Sequence, residues 1–181
     1  MKWSKKAKVL PNKAHVWPPQ SFYNLNVLLN NGQLCNLYSL KHKKILLVNT
    51  ASDCGYTAQY RELQQLYQQQ KDRLCIIAFP ANDFGRQEKS SNEAIAAFCT
   101  HNYSVTFPLA IKSVVVKNEQ QHPVFQWLSH AHLNGWNNQA PEWNFSKYLI
   151  DEQGVLLYYF GPAVSPLSDV MAKAIDNKNI F

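Results

Sequence analysis

The stretch Ile45-Leu46-Leu47-Val48-Asn49-Thr50-Ala51-Ser52-Asp53-Cys54-Gly55-Tyr56-Thr57 joins an unbroken apolar run to the start of an amphipathic segment. Ile45 to Val48 contains no polar residue, as a strand buried on both faces requires. From Thr57 to Lys71 the spacing predicts a helix. Tyr56, Tyr60, Leu63, Leu66 and Tyr67 fall on one apolar stripe, with Glu62 near its start and Lys71 and Arg73 at its end to suit the helix dipole. Cys75-Ile76-Ile77-Ala78-Phe79 predicts a second buried strand, stopped by Pro80. Strand, helix and strand make a right-handed unit with a parallel pair.

Working outward, Phe22 to Leu29 and Leu34 to Leu37 flank Asn30-Asn31-Gly32-Gln33 and predict a hairpin, since Asn-Gly supplies the positive φ of a tight turn. On the other side, Ser90-Ser91-Asn92-Glu93 reads as a capping box opening a helix with Ile95, Phe98 and Cys99 on one side. Val114-Val115-Val116 suggests a further strand. His122-Pro123 starts a helix with Val124, Trp127 and Leu128 inward. Tyr148-Leu149-Ile150 and Val155 to Tyr159 surround Asp151-Glu152-Gln153-Gly154, a second hairpin signal, and Ser165-Pro166 begins a last helix. This order describes an α/β protein of thioredoxin-like fold: a central mixed sheet flanked by helices, with an N-terminal β-hairpin.

The chain has 181 residues, enough for one domain with a substantial core. Its net charge of +6 would suggest nucleic acid or an anionic surface if it were evenly spread. Lys2, Lys5, Lys6, Lys8 and Lys13 instead concentrate five charges in a segment without an acid, so the rest of the chain carries about +1. Residues 1–19 are therefore expected to form a basic tail and 20–181 the folded domain. Two readings of the tail stay open: a loosely ordered, solvated segment, which the lack of helical or alternating pattern favours, or a contact with an acidic partner or lipid. No apolar segment follows the basic N-terminus and no run is long enough to span a membrane, so the expectation is a cytoplasmic protein without a nucleic-acid partner. Cys35, Cys54, Cys75 and Cys99 are too few and too scattered for a disulfide scaffold, and Cys99-Thr100-His101 has no second ligand pair to complete a zinc site.

Cys54 stands at the turn from a strand's carboxyl end into a helix. Ligands of open α/β sheets bind there, and free N–H groups favour a thiolate. An activated nucleophile is one reading; a buried structural thiol is the other. Thr57 occupies the position a second cysteine would need, which excludes Cys-x-x-Cys disulfide exchange. Leu47 and Ala51 stand where peroxiredoxins carry the Pro and Thr of Pro-x-x-x-Thr-x-x-Cys, so that pattern is absent too.

Asn49-Thr50-Ala51-Ser52-Asp53-Cys54-Gly55-Tyr56-Thr57-x-Gln59-Tyr60 resembles the active-site signature of the glutathione peroxidase family. Phe79-Pro80-x-Asn82-x-Phe84-Gly85-x-Gln87-Glu88 resembles its second signature and Trp143-Asn144-Phe145-x-Lys147 its third, in the family's order. The resemblance runs from about Phe22 to the last helix. It implies a cysteine-type peroxidase that reduces hydrogen peroxide and organic or lipid hydroperoxides through a Cys54 sulfenic acid, with no cofactor or metal. It also implies that Gln87, Trp143 and Asn144 complete a tetrad with Cys54; all three carry N–H donors able to stabilise thiolate and leaving oxygen. One branch resolves the sulfenic acid with a second thiol and is reduced by thioredoxin, and Phe98-Cys99-Thr100 matches that resolving position. The other reading of Cys99 is simple packing beside Ile95 and Phe98, and an inward-facing thiol would require its helix to unwind. Glutathione as direct reductant, or a peroxide sensor passing oxidation to a partner protein, are the alternatives. Cys35 and Cys75 look structural.

Departures from the family pattern are Ala81 for Cys, Asp83 for Gln, and Lys89-Ser90 for Pro-Gly. Ala81 removes a candidate resolving thiol. Asp83 brings a carboxylate that would disfavour the thiolate if it pointed inward. The insertion associated with tetrameric members is missing between Val116 and Trp143, which implies a monomer.

Overall fold

The computed structural model describes residues 7–176. A five-stranded mixed sheet runs in the order β1-β7-β6-β4-β5. It is built from β1 (Val9–Pro11), β4 (Lys44–Thr50), β5 (Leu74–Pro80), β6 (Lys147–Ile150) and β7 (Leu156–Phe160). Only β4 and β5 are parallel, and Leu47 aligns with Ile77 on one side and Tyr148 on the other. The thioredoxin-like arrangement predicted from the pattern is thus present. A hairpin of β2 (Asn26–Leu28) and β3 (Leu34–Asn36) forms a separate two-stranded sheet.

The unbroken apolar runs at β4 and β5 follow from covering both faces. Leu46 and Val48 join one core with Leu63 and Leu66 of α1 (Gln59–Gln70), Ile95 and Cys99 of α2 (Asn92–Tyr103) and Met171 and Ile175 of α5 (Asp169–Asp176). Ile45 and Leu47 point the other way, toward Phe22, Val27 and the helix α3 (Pro123–Leu128), which α4 (Ala131–Asn134) follows. Alternation along β4 therefore divides the interior into two apolar layers.

Several expectations need correction. The basic segment is not wholly a tail: Val9–Pro11 pairs antiparallel with β7, Gly161 N donates to Lys8 O at 2.8 Å, and the Lys8 ammonium donates to Gln139 and Glu142 at 2.6 Å each. A three-residue edge strand ending in proline is too short for periodicity to show, and an edge tolerates the missing donor. Lys2, Lys5 and Lys6 lie outside the described residues. Val114–Val116 is no strand. Val115 is buried, but its N–H donates to the Asp83 carboxylate at 2.8 Å and its carbonyl accepts from the Gln121 amide at 3.0 Å, so side chains replace a ladder. α2 is capped by Ser91, which accepts from Ala94 N, not by Ser90. α5 starts at Asp169 because Ser165–Ser168 forms a turn of its own.

Candidate active site

Cys54 sits in the loop between β4 and α1, half-buried. Thr57 shapes this loop from within: its buried hydroxyl accepts from Cys54 N at 2.9 Å and donates to Ala51 O at 2.9 Å. Thr57 N returns to Cys54 O at 3.0 Å. The tight turn aims the Tyr56 N–H at the Cys54 sulfur, 3.4 Å away. A backbone N–H held there is a preorganised donor to the sulfur, in place before any reaction begins.

The three signature segments meet around this loop. Asp53 N donates to Gln87 O at 2.9 Å, which ties the Cys54 loop to the segment after β5. The Gln87 side chain accepts from Asn144 Nδ2 at 2.9 Å. Asn144 is fully buried, and its own carbonyl oxygen has no protein partner. Asn49, on β4, holds the third segment by donating to Trp143 O at 3.0 Å and accepting from Phe145 N at 2.6 Å. Phe145 has φ of 65°, a conformation strained for a bulky residue, and it turns the chain sharply after Asn144. Trp143 remains about a third exposed, its ring 5.4 Å from that of Phe84. Gln87 and Asn144 are therefore joined directly, and Trp143 and Cys54 are held to the same framework through their backbones.

Cys99 is not on this surface. It is fully buried on α2, in the same core layer that the half-buried Cys54 packs against. Burial pushes its thiol up to about 11, against the lowering influence of the nearby Tyr60 hydroxyl; the Glu88 charge adds to the rise. Burial likewise pushes Cys75 up to about 12, in keeping with a structural thiol. Asp83 does not point at the thiol as feared: its carboxylate is spent on Val115 N.

Three polar residues inside the signatures carried no expectation at the site, Tyr60 having been placed only on the apolar stripe of the first helix. Glu88 is buried and accepts from Ser52 N at 3.2 Å, from the Ser52 hydroxyl and from Lys89 N at 2.7 Å. Lys147 is fully buried, its ammonium on the carbonyls of Phe145 and Val164 at 2.7 Å each. Burial depresses it to about 7. Tyr60 is fully buried on α1, where burial first, and then the neighbouring Cys99 and Glu88, raise its hydroxyl well above the usual range. Nothing in the sequence set Glu88 and Lys147 apart, because a charged residue in a segment rich in polar residues is ordinarily exposed. Among the described residues no cluster of acidic, histidine or cysteine side chains could hold a metal ion, and no helix is long and apolar enough to cross a membrane.

The glutathione peroxidase family model matches residues 22–129. A glutathione peroxidase homolog, BsaA, of Staphylococcus epidermidis is 45% identical over 148 residues, covering 81% of this chain and 92% of that protein. A glutathione peroxidase-like peroxiredoxin of Chlamydomonas reinhardtii is 41% identical over 148 residues, covering 81% and 90%. Among solved structures, that of T. cruzi GPX1 superposes with a TM-score of 0.66 at 25% identity, covering 89% of this chain and 100% of that one.

Proposed function

Because the chain belongs to the glutathione peroxidase family and is accordingly a peroxidase, acting on hydroperoxides at the expense of a thiol reductant, we propose that Cys54 is its peroxide-reactive group. The observation that carries this is the Tyr56 N–H directed at the Cys54 sulfur, beside the hydrogen-bonded pair Gln87–Asn144. The thiolate attacks the outer peroxide oxygen, the O–O bond breaks, and the alkoxide or hydroxide leaves with a proton to give Cys54 sulfenic acid. Gln87, Trp143 and Asn144 supply donors to the sulfur and the leaving oxygen.

Cys99 then condenses with the sulfenic acid, giving a Cys54–Cys99 disulfide and water, and thioredoxin reduces it. The full burial of Cys99 requires α2 to open before the sulfurs meet. With the third segment half-open to solvent at Trp143, bulky organic and lipid hydroperoxides can reach the thiol as well as hydrogen peroxide, in a monomer. The test is turnover with thioredoxin and its reductase compared with glutathione. Cys54→Ser abolishes both; Cys99→Ser abolishes the thioredoxin-driven cycle. Peroxidase activity retained by Cys54→Ser refutes the proposal.

A further inference from the structure

Lys147 is fully buried within the sheet, on β6. Its register partners are Val48 on β4 and Phe160 on β7, so its side chain enters the apolar layer shared with α1 and α5. Among the described residues no carboxylate closes an ion pair with its ammonium. The charge that acts on it is that of Glu62 on α1, whose carboxylate accepts from the Ser165 hydroxyl. What the ammonium meets is carbonyl oxygen: Phe145 and Val164 at 2.7 Å each, and Pro162 at 3.4 Å. A methionine would fill such a space without the cost of taking a charge out of water, so packing alone does not account for an ammonium here.

The Phe145 carbonyl belongs to the turn that carries Trp143 and Asn144. Phe145 holds its φ of 65° with its ring buried edge to face against that of Tyr60, 5.4 Å away. Such a conformation persists only where its surroundings over-determine it. Two contacts on its own backbone do so. Asn49 O accepts from Phe145 N at 2.6 Å, and the Lys147 ammonium holds the Phe145 carbonyl. The residue just before is Asn144, whose Nδ2 donates to Gln87 at 2.9 Å. The other end of the clasp is the segment 162–164 after β7. Gln59, in the first signature, donates to the same Pro162 carbonyl at 2.8 Å. One buried ammonium thus joins the third signature to a segment that the first signature also holds.

We propose that Lys147 is a positioning residue of the peroxide step: its ammonium clamps the Phe145 carbonyl, and the turn so fixed sets the Asn144 amide against Gln87 beside Cys54. Its hydrogen bonds run to backbone carbonyls, so it acts through Asn144 and not on the thiol or the peroxide. The proposal rests on the role of Asn144 given above. The charge matters because hydrogen bonds from an ionised donor are roughly twice as strong as neutral ones. An amine that has lost its proton holds the turn less firmly. Burial depresses the group to about 7, against the raising charge of Glu62, which brings that loss within the pH range in which the folded protein is assayed.

The experiment times dimedone-trappable Cys54 sulfenic acid after one equivalent of hydrogen peroxide, with the rate divided by the thiolate fraction read from ultraviolet absorbance. Misplacing a catalytic group by about 1 Å costs on the order of 10²-fold, so Lys147→Met is expected to slow this step roughly tenfold or more. The Asn144 side-chain amide signal in NMR should shift, while the signals of α3, in the other apolar layer, stay in place. In an Asn144→Ala background the same substitution is expected to cost less than about threefold, because the two residues then act through one contact. The wild type supplies a further arm that needs no variant to fold: its rate per thiolate should fall as the Lys147 Cε signal titrates. A peroxide step unchanged in Lys147→Met, with only the urea midpoint lowered, shows a purely structural role and overturns the proposal. So does the full penalty persisting in the Asn144→Ala background, or a wild-type rate per thiolate that stays flat while Lys147 titrates. If Asn144→Ala itself leaves the peroxide step unaltered, it is the role of Asn144 that falls.

Discussion

If the disulfide requires α2 to open, weakening the packing of α2 should speed the resolving step while lowering overall stability. Ile95 is the residue to perturb. It lies one helical turn before Cys99 on the same face and is 1% exposed, against a shared apolar layer that includes Leu46 and Val48. Ile→Ala in a core costs about 2–5 kcal/mol. The low end applies because Ala94 and Ala97 beside it are exposed and the site can relax toward solvent. Alanine's better helix propensity returns a few tenths, leaving about 1.6 kcal/mol. If that loss is confined to the closed helix, the open population rises roughly 15-fold, since each 1.4 kcal/mol is a factor of ten. Ile95→Ala should therefore form the Cys54–Cys99 disulfide about an order of magnitude faster, exchange the amides of 92–103 faster in the reduced protein, and melt at a lower temperature. Quench-flow intact mass and hydrogen exchange read the first two. A lowered melting temperature with an unchanged or slower disulfide step would refute the idea that α2 opening precedes disulfide formation.

Gln87→Ala removes the acceptor of Asn144 and one donor of the proposed tetrad, and should slow dimedone-trappable sulfenic acid formation by about 10²-fold, as loss of one preorganised donor does elsewhere. Thr57→Val strips the loop of two buried hydrogen bonds and leaves Cys54 N and Ala51 O unpaired, for a loss of about 1–3 kcal/mol in urea unfolding and a slower peroxide step. Lys147 links stability to pH with a defined sign. Its folded pKa of about 7 lies below its ordinary value of 10.5, so the unfolded chain binds more protons between those values and folding strengthens as pH rises through that window, by at most about 1.4 kcal/mol per unit. Below about pH 7 the ammonium is charged in both states and the whole penalty is present. Urea midpoints of wild type and Lys147→Met across that window should show the difference moving in favour of wild type as pH rises; a flat difference contradicts the assignment.

What was legible in the chain was whatever obeys a period or a turn rule. The apolar runs at 45–48 and 75–79 became the parallel pair, and the stripe from Tyr60 to Leu66 became the buried face of α1. Asn31-Gly32 did close a hairpin, with Gly32 at φ of 84°. Val114–Val116 misled because three apolar residues say only that something is buried. Its backbone is satisfied instead by Asp83 and Gln121, contacts made across 32 and 6 residues of sequence. The strand Val9–Pro11 escaped because its partner, β7, is near the other end of the chain and three residues carry no period.

At the site, Cys54 was marked by its place in a strand-to-helix turn, but Gln87, Trp143 and Asn144 were visible only through resemblance. As isolated residues, an amide in a loop and an aromatic near a strand have no spacing that sets them apart. The burial of Glu88 and Lys147 near the site was invisible for a physical reason: charge in a sequence predicts exposure, and these two are held inside by hydrogen bonds from Ser52 and Lys89 N and to backbone carbonyls.

The central claim is that one peroxide oxidises Cys54 and that Cys99 captures the product. Intact mass of the reduced protein after one equivalent of hydrogen peroxide, followed by peptide mapping without reduction, tests it most directly. The account predicts a loss of two hydrogens, with the peptide containing Cys54 joined to the peptide containing Cys99. A stable gain of one oxygen on Cys54, or a disulfide that joins Cys35 to Cys75 and leaves Cys99 free, would contradict it.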